Sequence, residues 1–168
     1  MKGISTELNE IQVVNIRMVR EPSLYSEAPI RTPQDVLKAV ANELASYDRE
    51  VFAVLNLKTN GQIINMNICS MGTLNASLVS PREVLKSSIL SNAASFICVH
   101  NHPSGELRPS EEDFDITDRL TEAGELLDIR CRDHIIVAGG TGEIFSFREN
   151  GMMNEILRGS RDYLRERE

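Results

Sequence analysis

The sequence over residues 95–113 is SFICVHNHPSGELRPSEED, and it joins three local signals. Residues 95–99 form a short, nearly all-apolar run, which is typical of a central strand buried on both faces. The Pro-Ser-Gly at 103–105 ends that strand, and Ser110 opens an apolar pattern with helical spacing. The stretch therefore predicts a strand, a tight loop and a helix, with two histidines where the strand ends.

The two histidines, His100 and His102, have the spacing of a metal site. Alternate side chains of an extended chain point to one face, so both imidazoles can reach one ion while Asn101 points away. Asp113 lies three residues before Ile116, on the inward stripe of the next helix. Two nitrogens and one oxygen would leave a fourth tetrahedral position for water, which is the arrangement of catalytic zinc.

Each part of this pattern also has a purely structural interpretation. Ser110-x-x-Asp113 before an apolar run is by itself a capping box, and capping is the more frequent meaning of that pattern. The two roles are compatible, because the helix dipole favours a carboxylate there while one oxygen binds a metal. A His-x-His pair alone fits a hydrogen-bonded polar pair equally well. Together, the pieces favour a metal site with His100, His102 and Asp113 as ligands.

The rest of the chain alternates strands and helices. The expected elements are strand 11–19, helix 32–47, strands 51–57 and 62–69, a helix from 81, strand 95–99, helix 110–127, strands 131–138 and 143–147, and a charged helix from about 150. The Thr59-Asn60-Gly61 turn requires an antiparallel hairpin. We predict an α/β (α+β) fold with a mixed, largely antiparallel sheet flanked by helices. Residues 1–30 would form a lead with an edge strand, and 31–168 the domain.

Two further helix starts carry a capping-box pattern. Thr32-Pro33-Gln34-Asp35 and Ser80-Pro81-Arg82-Glu83 each combine a capping side chain, a proline suited to the first helical position and a carboxylate that can reach back. We expect both boxes to form.

Composition narrows the function classes. The 168 residues suit one domain, and acidic residues outnumber basic ones by 25 to 18, so nucleic acid is not the expected partner. No apolar run of about 18 residues and no basic-then-apolar leader is present, which predicts a cytoplasmic protein without membrane contact. Cys69, Cys98 and Cys131 form no C-x-x-C pair, and we expect buried, reduced thiols.

These motifs resemble those of a known family. His-x-His, seven residues, then Ser-x-x-Asp is the signature of the JAMM metalloproteases, the zinc-binding MPN-type (JAB) domains. Four surrounding segments are similar to the bacterial RadC branch, namely GTLNAS at 72–77, PREV at 81–84, HNHPSG at 100–105 and AGELL at 123–127. Asn101 points the same way, since deubiquitinating members usually carry Ser or Thr there. The resemblance covers roughly residues 31–147.

The resemblance implies a cytidine-deaminase-like architecture, one Zn²⁺ per chain and cleavage of a peptide or isopeptide bond in a peptide or protein substrate. It also implies a glutamate just before the first hairpin strand, acting as general base through a metal-activated water; Glu50 occupies that place. The rival is Glu83, but its expected bond with Ser80 already explains it, so Glu50 is preferred. Ser110 would help to stabilise the tetrahedral oxyanion.

Other polar residues have weaker functional interpretations. Thr73, Asn75 and Ser77 could hydrogen-bond an extended peptide, although a polar turn is the commoner meaning. His134 lacks ligand spacing and is expected to be a core histidine or a support for a ligand.

RadC-type proteins usually carry a helix-hairpin-helix region, for which residues 1–30 leave no room.

The sequence leaves three functions to compare. The first function is a zinc hydrolase. The second is a nucleic-acid-associated accessory protein, for DNA repair or a mobile element, that uses the zinc fold as a platform and to which an arginine-bearing tail would contribute. The third is a metal-stabilised interaction module. Complete ligands with an open position favour the first.

Overall fold

The computed structural model describes residues 28–44, 47–72 and 79–153, without the side chains of residues 41 and 42. Its elements are α1 (Pro33–Leu44), β1 (Val51–Leu57), β2 (Ile63–Met71), α2 (Pro81–Leu90), β3 (Ser95–His102), α3 (Glu111–Leu126), β4 (Arg130–Ala138) and β5 (Ile144–Ser146). They match the predicted elements in type and order. The expected strand at 11–19, the loop with Thr73, Asn75 and Ser77, and the tail beyond Met153 lie outside the described residues. Within the described parts of the chain, no helix has the length and apolar character needed to cross a bilayer.

The five strands form one mixed sheet in the order β2-β1-β3-β4-β5. β3 and β4 run parallel, and the other neighbouring pairs are antiparallel. The predicted α+β fold and hairpin are confirmed. In the hairpin turn, the Gly61 N–H donates to the Lys58 carbonyl at 2.9 Å, and Gly61 has a φ of +86°, which only glycine adopts readily.

Helices cover both faces of this sheet. One face packs against α2 and α3, through Phe52, Val54, Phe96, Cys98 and Ile136 with Val84, Leu85, Ile116 and Leu120. The other face packs against α1, through Val51, Leu55, Ile97, Val99 and Ile135 with Val36, Val40 and Leu44. Since side chains alternate along a strand, His100 continues the series of Phe96 and Cys98 toward α2 and α3. The helix that carries Asp113 lies in that layer.

The two capping boxes expected at Thr32 and Ser80 have different outcomes. At α1, the Thr32 hydroxyl accepts the Asp35 N–H at 3.3 Å, and the Asp35 carboxylate accepts the Thr32 N–H at 3.0 Å, which confirms the box. At α2, Ser80 is the N-cap residue, but its side chain makes no capping bond. The Glu83 carboxylate pairs with Lys86 and Arg82 instead.

The prediction for Ser80 was therefore wrong, and the reason is electrostatic. Lys86 lies one helical turn beyond Glu83 and offers a cationic partner, which a carboxylate bonds more strongly than a neutral backbone amide. As a result, a capping role no longer excludes Glu83 as the general base. The preference for Glu50 then depends on where the two residues lie in the fold.

Candidate metal centre

His100, His102 and Asp113 come together where β3 ends and α3 begins. One ligand atom from each lies within 4.8 Å of the others. His100 Nε2 is 2.8 Å from His102 Nε2 and 3.2 Å from Asp113 Oδ1, and His102 Nε2 is 3.8 Å from Asp113 Oδ2. Ligands held tetrahedrally at about 2.0–2.1 Å from zinc are roughly 3.3 Å apart. The three separations bracket that value, so this group could bind a zinc ion and leave one position open.

Burial and charge in the group also suit a cation. His100 is fully buried, and this burial lowers the pKa of its imidazole to about 4, against a smaller raising effect of the Asp113 carboxylate. The ring is therefore neutral at pH 7, as a metal ligand must be. The Asp113 side chain is only 5% exposed, and no Lys or Arg among the described residues pairs with it. A buried carboxylate beside the neutral ring of His100 has no described cationic side chain as a partner, and a metal ion would supply that positive charge.

The loop after β3 fixes the ring of His102. Its Nδ1 lies 2.6 Å from the carbonyl oxygen of Glu106. Because a carbonyl can only accept, Nδ1 carries the proton and Nε2 keeps a free lone pair for a metal. The His102 carbonyl accepts the Gly105 and Gly139 N–H groups at 3.0 and 2.8 Å. A Cβ at Gly139 would lie 2.9 Å from Pro103, so glycine is needed for the end of β4 to approach this loop.

A buried chain of hydrogen bonds fixes the ring of His100. Its Nδ1 lies 2.8 Å from His134 Nε2, and His134 Nδ1 lies 2.6 Å from the Thr117 hydroxyl, which donates to the Asp113 carbonyl. Since that carbonyl only accepts, every donor in the chain points toward it, and His100 Nδ1 must carry a proton. Its Nε2 is thereby left free for a metal. Burial lowers the pKa of His134 well below its usual value, which keeps this ring neutral.

The two roles that the sequence left open for Asp113, helix capping and metal binding, are compatible in the structure. Ser110 caps α3: its hydroxyl accepts the Asp113 N–H at 3.1 Å, and its own N–H donates to Asp113 Oδ2 at 2.8 Å. The Ser110 hydroxyl also donates to Oδ2, at 2.8 Å. The capping box therefore aims the carboxylate, whose Oδ1 lies next to His100. The Ser110 proton is used inside the cap.

Glu50 lies directly before β1 and is half-buried. In the antiparallel pairing of β1 with β3, Phe52 is opposite His100, and their rings stack with centroids 6.0 Å apart. The paired register stops at Phe52 and His100, and Glu50 lies two residues before Phe52, at the end of β1 that lies next to His100. Glu83, in contrast, lies on α2 and bonds to basic side chains of its own helix.

Two residues make contacts at this site that the sequence did not predict in full. His134 was expected either in the core or as a support for a ligand, and its bond to His100 fits the second alternative. Asn101 was expected to point away from the histidines and was otherwise used only as a sign of the RadC branch. It bonds to the backbone on both sides of Glu50. Neither contact has a local signal, because each joins strands that are distant in sequence.

Several known proteins are similar to this chain in sequence. The family model of the RadC-like JAB domain matches residues 30–152. A UPF0758 protein of Rubrobacter xylanophilus is 44% identical over 156 residues, which cover 91% of this chain and 67% of that protein. UPF0758 proteins of Geobacillus sp. (strain WCH70) and Halalkalibacterium halodurans are 39% and 43% identical over 90% and 73% of this chain, and over 67% and 52% of their own lengths.

The fold is that of a JAB-type domain, and the His-His-Asp group could bind a metal ion. Within that class, the chain belongs to the RadC family, as its motifs had indicated. The chain spans about half to two thirds of the length of the curated relatives that it matches.

Proposed function

We propose that this protein is a zinc-dependent hydrolase of the JAMM type, which cleaves a peptide or isopeptide bond. The observation that carries the proposal is the convergence of His100, His102 and Asp113. Each imidazole has its other nitrogen committed to a hydrogen bond, so two lone pairs and a carboxylate oxygen meet at one point. Membership of the RadC-like JAB family supports the same reaction class.

One zinc ion per chain would be held by the two Nε2 atoms and an oxygen of Asp113. When bound, zinc acts as a Lewis acid that lowers the pKa of a bound water to about 7 and polarises a carbonyl group. Glu50 accepts the proton of the attacking water at its carboxylate and then gives it to the leaving nitrogen. Ser110 can donate to the tetrahedral oxyanion only when its hydroxyl turns away from Asp113 Oδ2.

A cavity near the start of α3 can accept an apolar peptide side chain. It measures about 560 Å³ and is lined by Leu107, Pro109, Phe114, Phe145 and Met152, with the charged residues Arg108 and Glu111. Leu107 follows the loop that holds His102, and Phe114 follows Asp113, so part of this cavity is built from residues next to the ligands in sequence. A peptide or protein substrate with a bulky apolar residue near the scissile bond would fill it.

Paired glutamate substitutions test the proposal. Purified wild type, Glu50→Gln and Glu83→Gln should each hold about one zinc per chain, measured by elemental analysis. Cells that produce wild type or Glu83→Gln should contain protein fragments, detected by N-terminal proteomics, that are absent with Glu50→Gln. Fragments that persist with Glu50→Gln, or that vanish with Glu83→Gln, would show that the base is wrongly assigned.

The accessory role in nucleic-acid metabolism rests on the tail, whose arginines at 158, 161, 165 and 167 lie outside the described residues. No contact among the described residues favours it, and the net charge of −7 opposes it. A DNA-binding titration at several salt concentrations separates the two functions. Tight binding that weakens steeply with salt would favour the accessory role.

A further inference from the structure

Asn101 lies between the two histidines in sequence, but its side chain reaches the start of β1. Its Oδ1 accepts the N–H of Val51 at 2.7 Å, and its Nδ2 donates to the carbonyl of Arg49 at 3.0 Å. The two bonds therefore hold the backbone on either side of Glu50. Asn101 is 4% exposed; its bond to Val51 is buried, and its bond to Arg49 is partly buried.

These bonds take over where the backbone ladder stops. The pairing of β1 with β3 ends at Phe52 and His100, and one residue further Asn101 pairs with Val137 of β4. A carboxamide offers a donor and an acceptor on one short, planar group, so it can replace both halves of a backbone pair. Leaving the buried Val51 N–H unsatisfied would cost about 1–3 kcal/mol.

We propose that Asn101 is a positioning residue that locks Glu50 to the strand carrying the metal ligands. The inference rests on the proposed role of Glu50 as general base. A base must lie within hydrogen-bond reach of the proton that it takes, and a displacement of about 1 Å can cost roughly 100-fold in rate. Because Asn101 is covalently joined to both histidines, any shift of the ligand strand carries the Glu50 backbone with it.

A small zinc-binding probe tests this without knowledge of the substrate. Acetohydroxamic acid binds zinc as its anion, and its hydroxyl proton passes to a neighbouring base. The affinity of the zinc-loaded full chain for acetohydroxamate therefore reports whether Glu50 is in place. We compare wild type, Glu50→Gln, Asn101→Ala and the double variant by calorimetry, with the zinc content measured for each.

The expected result is a non-additive pattern. Glu50→Gln and Asn101→Ala should each weaken acetohydroxamate binding by about tenfold, with zinc content unchanged. The double variant should be no weaker than Glu50→Gln, because Asn101 acts through Glu50. Additive losses, or normal binding by Asn101→Ala beside weak binding by Glu50→Gln, would overturn the inference alone. Normal binding by Glu50→Gln would overturn the base assignment as well.

Asn56→Ala is the matched control. Asn56 is a fully buried asparagine of β1 whose carboxamide bonds to Asn65, Ser87 and Ser88. Its loss should lower the unfolding temperature but leave the probe affinity unchanged, since these side-chain hydrogen bonds are to β2 and α2.

The wild type provides a check that does not depend on the folding of Asn101→Ala. The Val51 amide should exchange with deuterium as slowly as its strand neighbours in β1. Fast exchange at Val51 alone would show that the bond to Asn101 does not persist, and would overturn the inference.

Discussion

The starts of α2 and α3 have nearly the same sequence pattern but different structures. Ser80 and Glu83 stand in the same relation as Ser110 and Asp113, each pair at the N-cap and third position of its helix. Only the second pair closes a capping box. The Glu83 carboxylate instead bonds to basic neighbours on the protein surface.

A capping motif therefore shows only which hydrogen-bond partners a carboxylate can reach. The surrounding residues decide which of those partners it bonds. Glu83 has Lys86 within one turn of its own helix. Asp113 has a shorter side chain, is buried, and has no described cation beside it, so the Ser110 donors hold it. A carboxylate fixed by neutral donors keeps its charge available for a metal ion, whereas a carboxylate paired with lysine does not.

The largest expected effect is a difference in zinc content between variants of Asp113 and Glu83. Asp113→Asn removes the only charged ligand and should lose most of the zinc, while Glu83→Gln should retain about one zinc per chain. Elemental analysis after gel filtration measures both. Equal zinc content in the two variants would contradict the assignment of Asp113 as a ligand. His100→Ala should behave as Asp113→Asn does.

The next effect concerns acid stability of the metal-free protein. The pKa of His100 is about 4 in the fold because of its burial, against about 6.5 in an unfolded chain. Between these values the unfolded state binds more protons, so the free energy of unfolding should fall as pH drops from about 6.5 to 4. Urea unfolding in the presence of a chelator at several pH values measures this fall. Glu83→Gln should keep the acid-side loss and His100→Gln should reduce it; an identical loss in both would contradict the role of His100.

The smallest effects compare the two serines. Ser110→Ala should cost about 1 kcal/mol of folding stability, because a working cap is lost. It should also weaken zinc binding by about tenfold, since Asp113 Oδ2 loses one of its two donors from Ser110. Ser80→Ala should change stability by less than about 0.5 kcal/mol and leave zinc affinity unchanged. Chemical unfolding and competition with a zinc chelator measure the two quantities, and similar results for both serines would show that the capping difference has no energetic consequence.

Local patterns were enough to predict most of the fold. The apolar run at 95–99, the Asn60-Gly61 turn and the helical stripe through Ile116 and Leu120 each depend on neighbours within a few residues. All three appear as predicted. The parallel pairing of β3 with β4 was not specified, because the partner strand is separated from β3 by the whole of α3.

The candidate site likewise combines residues that local patterns predict with contacts that they do not. The spacing of His100, His102 and Asp113 suggested a ligand group, since strand and helix periodicity fix which faces they share. No spacing rule could show the bond from His134 to His100 or the bonds from Asn101 to the segment around Glu50. These partners are 34 and about 50 residues apart in sequence.

By itself, the sequence determined the order of the elements, the chemical types at the end of β3 and the inward position of Asp113, because these follow from repeats of two and 3.6 residues along the chain. Only the tertiary structure decided which of two like motifs forms a capping box, which nitrogen of each imidazole is free, and which side chain bonds to the backbone on either side of Glu50. Those outcomes depend on competition among hydrogen-bond partners that become neighbours only when the sheet is assembled.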